Sequence, residues 1–208
     1  MRKILLLALC FLILGSTAFA LDMVIGGGGL FGWAWETEDY PATWDPATGD
    51  QFWATIIEQK ATKYGGYVFF GLNRYFEANI FVLVGKTTDI VIKYTDDDGI
   101  PHADDGESYD TNNVGVGLYL KYPFSLGSNL VFFPTIGADF QSNFGGLDVF
   151  LGGGLGLDIF FGQKLFLRAQ GIYRYGFPFI YKGDLLDTKN FTSTAHGPLF
   201  KLGLGWMY

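Results

Sequence analysis

Over the last nine residues apolar or aromatic side chains recur at every second position: Phe200, Leu202, Leu204, Trp206 and Tyr208 on one face, Lys201, Gly203, Gly205 and Met207 on the other. Successive side chains of a strand point to opposite faces, so the pattern predicts a strand with one wholly apolar side. Seven earlier stretches alternate in the same way. They run from about Leu21 to Trp35, Thr62 to Leu72, Ala78 to Tyr94, Asn113 to Tyr122, Leu130 to Gln141, Leu147 to Phe161 and Lys164 to Tyr181. Lys86 falls on the apolar phase of the third, marking either a membrane boundary or a bulge that resets the phase. Pro134 removes one ladder donor from the fifth.

Short links (Asn73 to Glu77, Pro123 to Ser128, Gly162 to Lys164) alternate with longer segments (Glu36 to Ala61, Thr95 to Asn112, Lys182 to Gly197), with Ser142 to Gly146 as a short third loop. This spacing predicts an all-β fold, an eight-stranded antiparallel transmembrane β-barrel with the short links periplasmic and the long ones extracellular. Ten strands result instead if Phe52 to Ile57 also pairs. A soluble barrel with its apolar face inward alternates equally well. Against it stand aromatic pairs near strand ends (Trp33 and Trp35, Tyr173 and Tyr175, Trp206 and Tyr208), as an interfacial girdle requires. The glycine-rich second face also has little bulk for a soluble exterior.

Met1 to Ala20 reads as a signal peptide: Arg2 and Lys3, an apolar run from Ile4 to Leu14, then Ala18-Phe19-Ala20 as cleavage site. The barrel domain is therefore expected over residues 21–208, in a bacterial outer membrane after Sec-type export. Cys10, the sole cysteine, leaves with the signal, so disulfides and cysteine-ligated metal are excluded. An 18% aromatic content with 30 glycines disfavours helices, and a net charge of -7 argues against nucleic acid.

The terminal Trp206-Met207-Tyr208 pattern resembles the signal that the outer-membrane assembly machinery reads, which assigns Phe200, Leu202, Leu204, Trp206 and Tyr208 that role. Leu120 to Phe124 and Phe132 to Asp139 are similar to segments of small spirochaete barrels, notably treponemal ones. In size and strand count the chain resembles OmpW- and OmpX-type barrels. For the OmpW type the resemblance implies passage of small hydrophobic molecules through a narrow lumen with a lateral opening. No ligand motif of that family is matched here residue by residue.

Charged residues on the inward phase form the candidate site: Asp139, Asp148, Asp158, Arg168, Arg174 and Lys201, with Asp22, Lys121 and Gln170. If the sixth and seventh strands form a hairpin about Gln163, Asp158 faces Arg168. Asp139 and Asp148 should meet across the third loop, with Arg174 as their cation. Such a set acts either as a selective constriction or as an internal salt-bridge core, and an eight-stranded interior, which side chains can just fill, favours the core.

The acidic stretch Thr95 to Glu107 does not fit an EF-hand, because Tyr94 stands where the first ligand belongs. It reads as a solvated loop, so neither metal nor cofactor is expected. Tyr40, Trp44, Phe52 and Trp53 make the first long segment aromatic as well as acidic. His102 and His196, the latter near Ser193, form no nucleophile and base arrangement that points to an enzyme. The expectation is a narrow channel for small solutes, hydrophobic ones among them. The alternative is a surface barrel whose loops contact a host or matrix ligand. Outer-membrane lipid and the assembly machinery are the other partners implied.

Overall fold

The computed structural model describes residues 23–40, 43–44, 51–52, 54–72, 74–96, 99–142, 146–181 and 192–208. The segment expected to be a signal, Asp22, Asp45, Asp50, Trp53, Asp97, Asp98 and most of the segment from Lys182 lie outside them, as do the rings of Trp44 and Phe52. Eight long strands form the wall: β1 (Met23–Tyr40), β4 (Thr55–Leu72), β5 (Phe76–Thr95), β7 (Tyr109–Lys121), β9 (Leu130–Ser142), β10 (Gly146–Phe161), β11 (Leu165–Tyr181) and β12 (Thr192–Met207). Four short ones accompany them: β2 (Thr43–Trp44), β3 (Gln51–Phe52), β6 (Pro101–Asp105) and β8 (Phe124–Ser125).

All pairings are antiparallel, and the long strands run β10-β11-β12-β1-β4-β5-β7-β9, with β9 returning to β10. The ring is closed because the last strand pairs with the first, Ile25 opposite Trp206 and Phe31 opposite Phe200. Closure removes the sheet edges that would otherwise expose backbone donors and acceptors. Eight strands close the ring, not ten: β3 pairs only with β2, and Thr55–Ile57 belong to β4.

The strands rise further than the alternation predicted. β1 continues to Tyr40 and β4 begins at Thr55, which shortens the first long segment from both sides. β12 begins at Thr192, so His196 lies on a strand. Polar side chains replace apolar ones above the girdle, and there the apolar rhythm fades while the hydrogen-bonded ladder continues. Glu77, expected in a turn, is the second residue of β5. The acidic segment after Thr95 turns back as β6 and pairs with β5, Val91 opposite Asp105 and Thr95 opposite Pro101. The Lys86 side chain is on the outer face, and the bulge that resets the phase comes three residues later, where Asp89 (φ 54°) stands against Glu58 and Lys60.

Outside, the wall is apolar, with Ile80, Val82, Val116, Leu118, Leu151, Leu155, Leu202 and Leu204 all exposed. An apolar belt of this extent on a folded protein calls for an apolar surrounding. Aromatic groups bound it at both ends. Toward the long loops Trp33 meets Phe31, Trp35 and Phe200, and His196 stacks on Trp35 and accepts or donates a 2.7 Å hydrogen bond with the Tyr173 hydroxyl. At the short-turn end Tyr75, Tyr122, Phe124 and Phe132 follow one another. No helix among the described residues is long and apolar enough to cross a membrane, so any crossing is made by strands.

Inside, aromatic rings cover the glycine-rich face. Phe69, Phe81, Phe133, Phe150 and Phe166 all point inward and are buried. Each lies flat over a glycine of the neighbouring strand. A Cβ at Gly26 would collide with Phe69, at Gly115 with Phe81, at Gly156 with Phe133, at Gly176 with Phe150 and at Gly205 with Phe166. The glycines thus make room for rings rather than for solvent.

The two faces of β12 are expected to respond differently to substitution. Leu204→Arg, on a side chain 55% exposed to the surroundings, should lower unfolding stability in lipid by about 2–4 kcal/mol. Gly205→Ala should also destabilise, by displacing the Phe166 ring. Urea titrations in bilayers of differing thickness check this: the arginine penalty should vary with bilayer thickness and the alanine penalty should not. Equal dependence would contradict the assigned polarity.

Candidate functional site: a charged lattice across the lumen

The inward phase of each strand delivers its polar residues to a shared interior. Arg168 on β11 sits at the centre and is 2% exposed. Its Nε and Nη2 donate to the two carboxylate oxygens of Asp158 on β10, at 2.7 and 2.6 Å, and the two residues are register partners. Its Nη1 donates to Glu77 Oε2. β5 and β11 are four strands apart in either direction around the ring, so this contact crosses the full width of the barrel.

Lys121 on β7 donates to the same Glu77 oxygen at 2.6 Å. Asn79, with its amide oriented to satisfy both neighbours, donates to Glu77 Oε1 and accepts from Lys201 Nζ, each at 3.1 Å. Around these charges the rings close in. The Arg168 guanidinium lies 4.5 Å from the centre of Phe69 and 5.1 Å from those of Phe133 and Phe166. Cation and ring attract where water is excluded, so the plug is held by electrostatics in two forms.

A second layer lies toward the long loops. Asp139 accepts from the Tyr119 hydroxyl at 2.6 Å and from Arg174 Nη1 at 3.3 Å. Lys201 Nζ sits 4.3 Å from the Tyr119 ring centre. Above that, Glu36 accepts from Lys63 at 3.4 Å and from Gln59 at 3.1 Å, and the Tyr109 hydroxyl donates to Gln59 at 3.2 Å. Beyond the girdle, burial pushes the Glu38 carboxyl above its ordinary value, opposed by the Tyr40 hydrogen bond and reinforced by Glu36.

The structure brings together five of the six sequence-predicted charges, Asp139, Asp158, Arg168, Arg174 and Lys201. Asp148 stands apart. It is opposite Gln141, while Asp139 is opposite Phe150, so the two aspartates occupy different inward rungs. Its charged neighbours are Lys63 and Glu36. The β9 to β10 register is what separates the pair. Glu77, Asn79, Tyr119, Tyr67 and Lys63 belong to the lattice and were missed from sequence. Glu77 was legible, since it continues the inward rhythm of Asn79, Phe81 and Leu83 by one step. Phe200, Leu202, Leu204, Trp206 and Tyr208 form an outward stripe on β12.

At the short-turn end the lumen widens to a cavity of about 500 Å³. Arg168, Lys121, Asp158, Phe133 and Phe166 reach its inner end, with Arg74, Ser128, Asn129 and Gln163 around its mouth. The cavity ends at the lattice. In the acidic hairpin, His102 Nε2 lies 2.7 Å from Asp96 Oδ2 and stacks on Tyr94. Among the described residues no group of three or more His, Cys, Asp or Glu is placed to hold a metal ion.

The wall, its closure and its outward apolar belt can now be compared with solved structures. The outer membrane protein OprG from Pseudomonas aeruginosa superposes with a TM-score of 0.52 at 13% identity, over 91% of this chain and 96% of that one. The fold is that of a small outer-membrane β-barrel. Neisserial surface protein A follows with a TM-score of 0.43 at 13% identity, covering 89% and 97% of the two chains. The N-terminal barrel domain of Pseudomonas aeruginosa OprF gives 0.35 at 14% identity, covering 88% and 99%. No family model matches the sequence, and no curated protein matches it. At such identities the likeness of this barrel to OprG is one of fold.

Removing one member of a buried ion pair leaves the other uncompensated, at a cost of about 3–5 kcal/mol. Arg168→Met should show a loss of that size in urea unfolding. Arg168→Met combined with Asp158→Asn should recover a large part, because Glu77 stays paired with Lys121 and no carboxylate is left orphaned at Arg168's site. Strictly additive losses would mean that the contacts around Arg168 are not coupled.

Proposed function

We propose that this chain is a closed outer-membrane barrel that works as a platform, presenting its extracellular superstructure to a host or matrix ligand. The observation that carries this reading is the Glu77 to Arg168 bridge, which closes the lumen from one wall to the other. An eight-stranded interior that side chains fill leaves no water-filled path for ions. The wall then extends past the girdle: β1 and β4 have 18 residues and β5 has 20, against about 9–11 needed to cross a bilayer. Strand length beyond the membrane raises the β5 to β6 hairpin and the β2 to β3 hairpin above the lipid. Long segments held on a rigid rim are where recognition resides. The reading is non-enzymatic. In it the outward stripe from Phe200 to Tyr208 is the segment read by the assembly machinery, and the apolar belt meets outer-membrane lipid.

A second reading, passage of small hydrophobic molecules, has its own support. β11 and β12 pair only as far as Gly176 opposite Ala195, although β11 continues to Tyr181 and β12 begins at Thr192. Their upper ends part there, and a sideways exit would avoid the charged lattice. The resemblance to OmpW-type barrels agrees with this route.

Deleting residues 96–107, which takes away the β6 hairpin but leaves the membrane wall intact, separates the two. The platform reading expects cells expressing the shortened barrel to lose attachment to matrix-coated surfaces while uptake of hydrophobic solutes stays unchanged. Unchanged attachment with altered uptake would favour the lateral route.

A further inference from the structure

The closed part of the lumen holds four cations, Lys121, Arg168, Arg174 and Lys201, against three carboxylates, Glu77, Asp139 and Asp158. All three carboxylates are committed elsewhere: Glu77 to Arg168 and Lys121, Asp158 to Arg168, and Asp139 to Arg174 and Tyr119. The excess charge sits on Lys201, 3% exposed, whose ammonium touches only the Asn79 carbonyl and the faces of Tyr119 and Tyr67. The Lys63 and Glu36 pair and half-buried Asp148 lie further toward the loops, and the charges that act most on Lys201 are Asp139, Glu77, Arg174 and Arg168. An ammonium taken out of water needs a counter-charge or must give up its proton.

Beside it, Gln170 is Lys201's register partner on β11, is 4% exposed, and has neither amide atom hydrogen-bonded. Two more donors in the lumen have no acceptor: Arg174 Nε and the Tyr67 hydroxyl. Tyr67 reaches toward β12, its hydroxyl 2.7 Å from where a Cβ at Gly203 would stand. Gln170 on β11 and Tyr67 on β4 thus place an unpaired amide and an unpaired hydroxyl beside the surplus positive charge on β12. A neutral water would satisfy hydrogen bonds but not the charge, whereas an anion satisfies both.

We propose that the lumen binds a small monovalent anion of the chloride class, held by Lys201 Nζ and Gln170 Nε2 with Arg174 Nε or the Tyr67 hydroxyl as a further donor. The anion completes the charge balance of the plug and is taken up as the barrel closes. A ligand that binds only the folded state raises stability by mass action, so the dependence on its concentration is the readout.

The test is thermal unfolding of protein refolded in detergent, with chloride raised in about tenfold steps at constant ionic strength by replacing gluconate. Heat-dependent gel mobility reports the folded fraction. The wild-type midpoint should climb with chloride. Lys201→Met should fold, be at least as stable as wild type in gluconate, and show no chloride response. Gln170→Leu keeps the ammonium and should shift the response to higher chloride. Crystals grown in bromide should show an anomalous peak within hydrogen-bond reach of Lys201 Nζ. A flat wild-type response overturns the proposal, as does a Lys201→Met variant that responds as wild type does. Should Lys201→Met fail to fold, an unshifted response in Gln170→Leu overturns it as well.

Discussion

A guanidinium held between carboxylates on opposite walls constrains the rest of this molecule. Arg168 joins β11 to β10 through Asp158 and to β5 through Glu77, so three strands from two sides of the ring are tied at one point. The contact can form only if the ring is narrow, and eight strands give that width. It also needs the charge surrounded by groups that tolerate it without water. Phe69, Phe133 and Phe166 do so with their faces, and the glycines opposite them provide the volume the rings occupy. Strand number, glycine positions and aromatic positions are parts of one solution to filling a narrow barrel.

That solution explains a sequence with an apolar outside and a charged inside. In lipid, association of apolar surface supplies no drive to close the wall, so backbone hydrogen bonding and the interior must do it. Here the interior contributes charge-assisted bonds in two layers, Arg168 with Glu77 and Asp158 and Lys121 with Glu77 below, Asp139 with Tyr119 and Arg174 above. Lys201 links the layers through Asn79 and Tyr119.

Most of the wall was legible because period-two alternation is a direct image of strand geometry, and lipid makes the outward phase unusually apolar. The Asp158 and Arg168 neighbourhood follows from counting outward from one tight turn, since Gly162 (φ 81°) fixes that hairpin's register. What the alternation hid has physical causes. Contacts across the lumen, such as Glu77 to Arg168, join residues 91 apart in sequence and depend on ring closure, which no local pattern encodes. Asp148 does not meet Asp139 because the pairing of β9 with β10 stands one inward rung away from the one the loop length suggested. A filled interior was expected from the strand number, but the rings that fill it were not placed, because the glycines were read without the side chains of the adjacent strand that lie over them. The strand extensions above the girdle were missed because outside lipid both faces become polar.

The membrane-spanning part is thus crossed by the charged lattice, and the role proposed for the chain lies in what that wall carries. A cavity of about 500 Å³ at the short-turn end stops at the lattice, and at the other end β11 and β12 pair only as far as Gly176 opposite Ala195. The most direct measurement is planar-bilayer conductance of refolded protein, restricted to preparations whose gel mobility shifts on heating, with Arg168→Ala beside the native chain. The native barrel should be silent, and replacing Arg168 should produce discrete ionic steps. Stable channels from the native chain, unchanged by loss of Arg168, would contradict the closed lumen on which the account rests.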